Sequence, residues 1–366
     1  MRSCSGWGLP SRGSHLPRWW ALTPPFHPYQ PKLAVCFLWH CPAGFPGWPL
    51  AITLPFGART FLDPKLDSAD FGTAAAQLTR PRPDYGTASA RTINGYPATV
   101  LILLPPSEGK TPPVSETKLD LGKLYAADQL TAARRSVMRE LASVSIGPQA
   151  TEILGLGPRS ADDAALNSVL ESANCAPAYE LYTGVLFEAA QLGTLADEAP
   201  AVLRSHLLIF SGLWGVVSAL DSLPNHRLSM GIRLPETGRM ASFWAKELET
   251  VLSNAAAGQV LVDCRSADYA AAWRPNISAQ GPTASLSVAV CRLRPDGSRQ
   301  VISHAAKHTR GLLTGALLRA VAAGTLPTLA TVEEIVEVAR SLPEVAQVEI
   351  GEPDRRGVQK LTLILG

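Results

Sequence analysis

Four short clusters carry the side chains able to do chemistry. In Leu104-Pro-Pro-Ser-Glu-Gly-Lys-Thr111 a hydroxyl (Ser107), a carboxylate, a flexible glycine and an ammonium (Lys110) follow the apolar run Val100–Leu104. Such groups can move a proton or hold an anion, and strand ends are where α/β proteins place ligands. The spacing is not that of a Gly-x-x-x-x-Gly-Lys-Ser/Thr phosphate loop, and a plain polar loop accounts for the same residues. Phe210-Ser-Gly-Leu-Trp-Gly215 repeats the arrangement, with Gly212 and Gly215 open to close backbone approach or positive φ. Ser211 lies outside those glycines, so this is not the nucleophile elbow of hydrolases.

Asp221, His226, Arg227 and Arg233 follow among apolar residues. Arg227 can anchor an anion or simply pair with Asp221. Ser303-His-Ala-Ala-Lys-His-Thr-Arg-Gly311 gathers Lys307, His308 and Arg310 just ahead of a helix expected from about 307. Cations there oppose the helix dipole and gain little as structure, which favours an anionic ligand. His304 and His308 are four apart without an intervening Glu, and no Glu-x-x-His occurs. Neither a zinc nor a di-iron site is expected, and no cofactor.

Ile153-Leu-Gly-Leu-Gly-Pro-Arg-Ser-Ala161 resembles a helix-hairpin-helix element, whose backbone amides at Gly155 and Gly157 would hold a DNA phosphate without reading bases. Asp162 and Asp163 stand where a phosphate binder prefers Lys, and a structural αα-hairpin fits as well.

The elements that must position these groups are legible as periods and runs. Val100–Leu104, Leu207–Phe210 and Val260–Val262 read as short buried strands. Thr131 is expected to cap a helix over about 132–145. Ser285–Arg292 alternates, turns at Arg294-Pro-Asp-Gly297 and is expected to return through Gln300–His304 as a hairpin. Helices are expected over about 307–322 and 331–341, and strands over Val345–Ile350 and Lys360–Leu365. The fold class is therefore α/β, mixed α+β, as one compact domain over 100–366.

Residues 1–99 differ in kind. They hold 14 of the 30 Pro and five of the eight Trp, and runs such as Pro24-Pro-Phe-His-Pro28 leave no usable period. They carry nine Lys or Arg against four Asp or Glu, whereas the remainder carries 24 against 27. The basic excess thus belongs to this extension, and the folded part has no global charge that would favour nucleic acid. The next Met after Met1 is Met138. Val100, as a GTG start, is expected to be the true beginning, with residues 1–99 untranslated or disordered. Leu33–Trp39, bounded by Pro31 and Pro42, is too short to span a bilayer. Cys175, Cys264 and Cys291 are far apart without a Cys-x-x-Cys pair, which reads as reduced thiols. A cytoplasmic location without membrane contact follows as the expectation.

Taken in order, these pieces resemble the YaaA family. The matching segments are Pro-Ser-Glu-Gly-Lys110, Tyr182-Thr-Gly184, Ser211-Gly-Leu-Trp-Gly215, Arg227-Leu-Ser-Met-Gly231, Phe243-Trp244, Ser266-x-x-Tyr269 and Ala306-Lys-x-x-Arg-Gly311. Leu-Leu-Pro-Pro-Ser-Glu108 is similar to the actinobacterial branch. The resemblance implies protection against peroxide by lowering free intracellular iron, and a fold with a basic cleft and a helix-hairpin-helix element able to bind DNA. His308-Thr309 stands where Lys-Ala is usual in the family, at a cost in positive charge.

Two functions from different classes follow. One is a peroxide-stress protein that limits free iron and oxidative DNA damage, binding DNA backbone in a cleft lined by Ser107, Lys110, Arg227, Lys307 and Arg310. The other is an enzyme acting on a small phosphorylated or nucleotide-like molecule in the same cleft, with Ser107, Lys110 or Tyr182 as the reacting groups. The aromatics Tyr182, Trp214, Phe243 and Trp244 are expected to be mainly core.

Overall fold

Five consecutive apolar residues, Val100–Leu104 (β1), are buried on both faces, as the interior strand of a parallel sheet requires. The computed structural model describes residues 100–366 other than 279 and 327–329, together with a two-residue ladder pairing Thr92–Ile93 with Tyr96–Pro97. The disorder expected over 1–99 otherwise lies outside the described residues.

The other strands of the main sheet are Leu207–Ser211 (β2), Gly215–Ser218 (β3), Val260–Asp263 (β4), Ala284–Leu293 (β5), Val345–Ile350 (β6) and Val358–Leu365 (β7). Their order is β6-β7-β5-β4-β1-β2-β3, with Arg299–Gln300 paired to β5. The five central strands are parallel, and antiparallel β6 and β3 close the two edges. The fold is thus mixed α/β around a mostly parallel sheet.

The topology creates a crevice. From β1 the chain crosses to β2 on one side, whereas β4, on the other side of β1, sends the chain away to β5. Two adjacent parallel strands whose connections diverge leave a gap beyond their carboxyl ends, where ligands of open α/β sheets bind. The loops opening there begin at Pro105 and Cys264.

Five helices concern the site and its packing: Ala127–Ser145 (α1), Val185–Ala190 (α2), Met240–Ala256 (α3), Ser303–Ala322 (α4) and Val332–Arg340 (α5). In α1 the residues Leu130, Ala133, Val137, Met138 and Leu141 recur at helical spacing and bury one stripe. Its start is earlier than the expected cap at Thr131. Ala126, with φ 52°, turns the chain, and its carbonyl already accepts from Leu130 N at 3.0 Å. Thr131 is then an ordinary interior residue of the helix.

The hairpin after β5 forms, but its return is only Arg299–Gln300, and Ser303 and His304 belong to α4. Val301 is exposed, so no apolar face rewards a longer strand, and Ala305-Ala306 extend the helix readily. At α5, Thr331 Oγ1 accepts from Glu334 N at 3.3 Å while Glu334 accepts from Thr331 N at 2.7 Å, a reciprocal cap.

Helix α4 crosses α2 at glycine. A Cβ on Gly311 would overlap the Leu186 carbonyl oxygen and stand 2.8 Å from Ala189 Cβ. Only a missing side chain lets the two backbones come this close.

Candidate functional site

The crevice between β1 and β4 is floored by the loop that leaves β1. This loop is sewn to the segment around Tyr182 by backbone bonds, Thr111 N to Leu181 O at 2.9 Å and Thr183 N to Gly109 O at 3.0 Å. The Ser107 hydroxyl donates to Thr183 O, and a Cβ on Gly184 would sit 3.0 Å from Ser107 Oγ. Two segments more than seventy residues apart in sequence thus form one wall.

Lys110 reaches along that wall. Its Nζ donates to Ser107 O at 3.0 Å and stands 5.5 Å from the centre of the Tyr182 ring. Among the described residues it has no ion pair with a carboxylate. Burial, with the Arg227 guanidinium beside it, pulls the amine from 10.5 down to about 7. At neutral pH much of it is unprotonated, so it can accept a proton or attack an electrophile. Lys110 is nevertheless only partly covered, so small solutes can reach it.

Tyr182 is 1% exposed and tilted against Phe187 at 5.5 Å. Its hydroxyl faces Ser211 but makes no hydrogen bond of normal geometry, and burial pushes its pKa well above the usual phenol value. It remains a proton donor. Ser211 is buried at the end of β2, where its Oγ accepts from Trp214 N at 3.2 Å and Leu213 N at 3.3 Å. It serves the turn. Of the two glycines beside it, Gly215 has φ 73°, while a Cβ on Gly212 would strike the backbone of Leu228 and Ser229. Gly212 therefore locks the β2 turn against the segment that carries Arg227.

Arg227 does not pair with Asp221. Its Nε donates to Asp163 Oδ2 at 2.9 Å, a terminal nitrogen lies 2.8 Å from the same oxygen, and the other donates to Glu108 O. Its backbone is held on both sides by Asn167, which accepts from Arg227 N at 2.8 Å and donates to Arg227 O at 2.9 Å. Asp221 instead accepts from Tyr125 N at 2.8 Å and Ser218 N at 3.1 Å, close to the buried Arg134. His226 is enclosed edge-on by Trp214 and Tyr182, and burial holds it near pKa 3, so the ring stays neutral. Tyr269, in the four-residue helix Ala267–Ala270 that follows β4, lies close to Glu108.

Arg310 lies beside the neighbouring strand β5. Arg310 donates to Val288 O at 2.8 Å, its Nε is buried without a partner, and its charge acts on Cys264, which burial still pushes up to about 12. Lys307 is exposed one turn earlier on α4, and among the described residues neither it nor Arg310 makes a hydrogen bond to Lys110. With Ser303 at the helix start, neither stands in the first turn, so the dipole argument made for them loses force. His308 meets Glu344 at 3.1 Å.

Gly155 and Gly157 lie between a four-residue helix, Ala150–Ile153, and a 3-10 run, Pro158–Ser168, not between two full helices. Gly155 N, Leu156 N and Ser160 N already donate within the turn, to Glu152 O, Thr151 O and Gly157 O. Few amides there are left for a phosphate. The element contributes instead through Asp163 and Asn167, which clamp Arg227.

Ser107, Lys110, Tyr182, Ser211 and Arg227 therefore converge, Arg310 flanks them, and Lys307, Gly155 and Gly157 stand outside. Asn167 went unnoticed in the sequence, because nothing local marks a partner sixty residues away. Two open surface grooves against α5 and β6, lined by residues such as Arg340, Val345 and Gln359, contain none of these groups.

A family model described as peroxide stress protein YaaA matches residues 100–335. A UPF0246 protein of Streptomyces coelicolor is 38% identical over 260 residues, 70% of this chain and 95% of that protein. Another from Corynebacterium efficiens is 34% identical over 262 residues, 70% of this chain and 98% of its own length. A third, from Corynebacterium glutamicum, is 33% identical over 222 residues, covering 60% and 84%.

Proposed function

This chain belongs to the family of peroxide stress protein YaaA, and we propose on that basis that it acts in peroxide stress by binding and transforming a small anionic molecule at the β1–β4 crevice. The observation that carries this reading is the Lys110 amine, held against Tyr182 and beside Arg227 with its pKa near 7. A proton acceptor poised near working pH, a buried phenol that keeps its proton and an arginine facing the same space form an acid–base set. A DNA groove would place its cations in the open, free of carboxylates. Here Arg227 is tied to Asp163 and Lys110 is largely desolvated, which favours a small ligand of phosphorylated or nucleotide-like type. Lower free iron and less oxidative DNA damage are the cellular outcomes this activity would serve.

The test is peroxide survival of cells carrying Lys110→Met or Arg227→Met, with calorimetric titration of nucleotides and sugar phosphates into the purified proteins. Both variants should lose protection and ligand binding while remaining folded. A folded Lys110→Met protein that protects as well as wild type would sink the proposal. The exposed Lys307 on α4 favours a second reading, polyanion binding. It requires duplex DNA retention that falls steeply with salt and weakens in Lys307→Ala.

A further inference from the structure

We propose that Lys110 is a covalent nucleophile, and that the molecule bound at this crevice carries an aldehyde or ketone with which its Nζ condenses to an iminium ion. The inference rests on the small-anion reading of the same site and narrows its substrate class to carbonyl compounds bearing an anionic group. Three observations carry it. First, among the described residues the amine has only the Ser107 carbonyl as a hydrogen-bond partner and no carboxylate in ion-pair contact, Glu108 and Asp163 acting on it only from farther off. Second, a guanidinium stands beside it, and three of the five N–H groups of Arg227 account for its recorded contacts, leaving others for an anion. A lysine that is desolvated next to another cation is a common way to make an amine nucleophilic. Third, the fully buried Tyr182, whose ring centre lies 5.5 Å from the amine, has only Ser211 near its hydroxyl and makes no hydrogen bond of normal geometry with it. An orphaned buried donor costs stability unless a ligand satisfies it, and a carbonyl oxygen is such a ligand.

The chemistry balances without a further oxidant or reductant. The Nζ lone pair forms a bond to the carbonyl carbon, the C=O π pair moves to oxygen, and a proton passes from nitrogen to oxygen to give a carbinolamine. Tyr182, whose ring centre lies 5.5 Å from Nζ, would donate the proton to that hydroxyl. The C–O bond then breaks, water leaves, and the nitrogen lone pair forms the C=N bond of the iminium. The phenol recovers its proton from solvent.

The experiment incubates the full-length protein with glyoxylate and sodium cyanoborohydride at pH 7, then maps carboxymethylated lysines by peptide mass spectrometry. Lys110 should be modified on the order of ten-fold faster than the exposed Lys118, Lys123 and Lys307, because far more of its amine is unprotonated. The labelling rate should rise with pH through an inflection near 7 at Lys110 only. Tyr182→Phe, which keeps the ring and its packing, should slow trapping at Lys110 about ten-fold while leaving the slower labelling of the surface lysines unchanged. Equal labelling of Lys110 and the surface lysines overturns the inference. If ligands bind in an Arg227-dependent way while Lys110 stays unmodified, the covalent step fails and the small-anion reading survives. If neither binding nor labelling occurs, both fail.

Discussion

Gly311→Ala adds one methyl group where α4 crosses α2. Its Cβ would overlap the Leu186 carbonyl oxygen and stand 2.8 Å from Ala189 Cβ, against an ordinary carbon–carbon contact of about 3.5–4.0 Å. The helices must part by on the order of 1 Å, and overpacking of this kind costs about 1–3 kcal/mol. Two backbones are involved, so the upper end applies. Alanine's helix preference over glycine returns about 1 kcal/mol, leaving a net loss of about 2 kcal/mol. The control is Gly193→Ala, in the helix Leu192–Glu198, where an added Cβ meets nothing within 4 Å. The same chemical change there should stabilise by about 0.5 kcal/mol. Urea unfolding followed by circular dichroism reads both, provided the slopes match wild type. If Gly311→Ala is as stable as wild type, or the two variants shift in the same direction, the close-crossing argument is wrong. The parting of α4 would also move Arg310 off Val288 O, so ligand affinity should fall in Gly311→Ala and not in Gly193→Ala.

Three further outcomes are expected. Arg134→Met removes donors to Trp214 O at 3.1 Å and to Tyr125 O and Val216 O at 2.8 Å each, and leaves Asp221 buried without its neighbouring guanidinium; a loss of about 3–5 kcal/mol in denaturant unfolding is expected. For His226 the unfolded chain takes up its proton near pH 6.5 and the folded chain only near 3, so stability is lost progressively as pH falls through that interval. His226→Gln should flatten that part of the acid limb, and an unchanged pH profile would count against a buried neutral ring. Lys110 has its folded pKa lowered to about 7 from 10.5, so its burial costs most at and below pH 7 and nothing once the unfolded chain also loses the proton. Lys110→Met should therefore be more stable than wild type at pH 7, with melting temperatures that converge near pH 10.5.

What the sequence determined by itself was local. Apolar runs place β1, β2 and β4, because a strand buried on both faces needs unbroken hydrophobic residues. The helix expected over about 331–341 is found as α5, and its reciprocal cap at Thr331 and Glu334, which the structure shows, is closed within four residues. The ordered clusters around Lys110, Ser211, Arg227 and Arg310 disclosed the family, since their types and order survive without knowledge of how they meet. The tertiary structure decided their company. Arg227 takes Asp163 and not Asp221, because Asn167 fixes its backbone from sixty residues away. The chemistry open to Ser107 and Lys110 in the loop after β1 depends on Tyr182, which reaches them only through backbone pairing across some seventy residues. The amine's lowered pKa has no counterpart in local sequence, since desolvation and a neighbouring guanidinium exist only once the chain has folded.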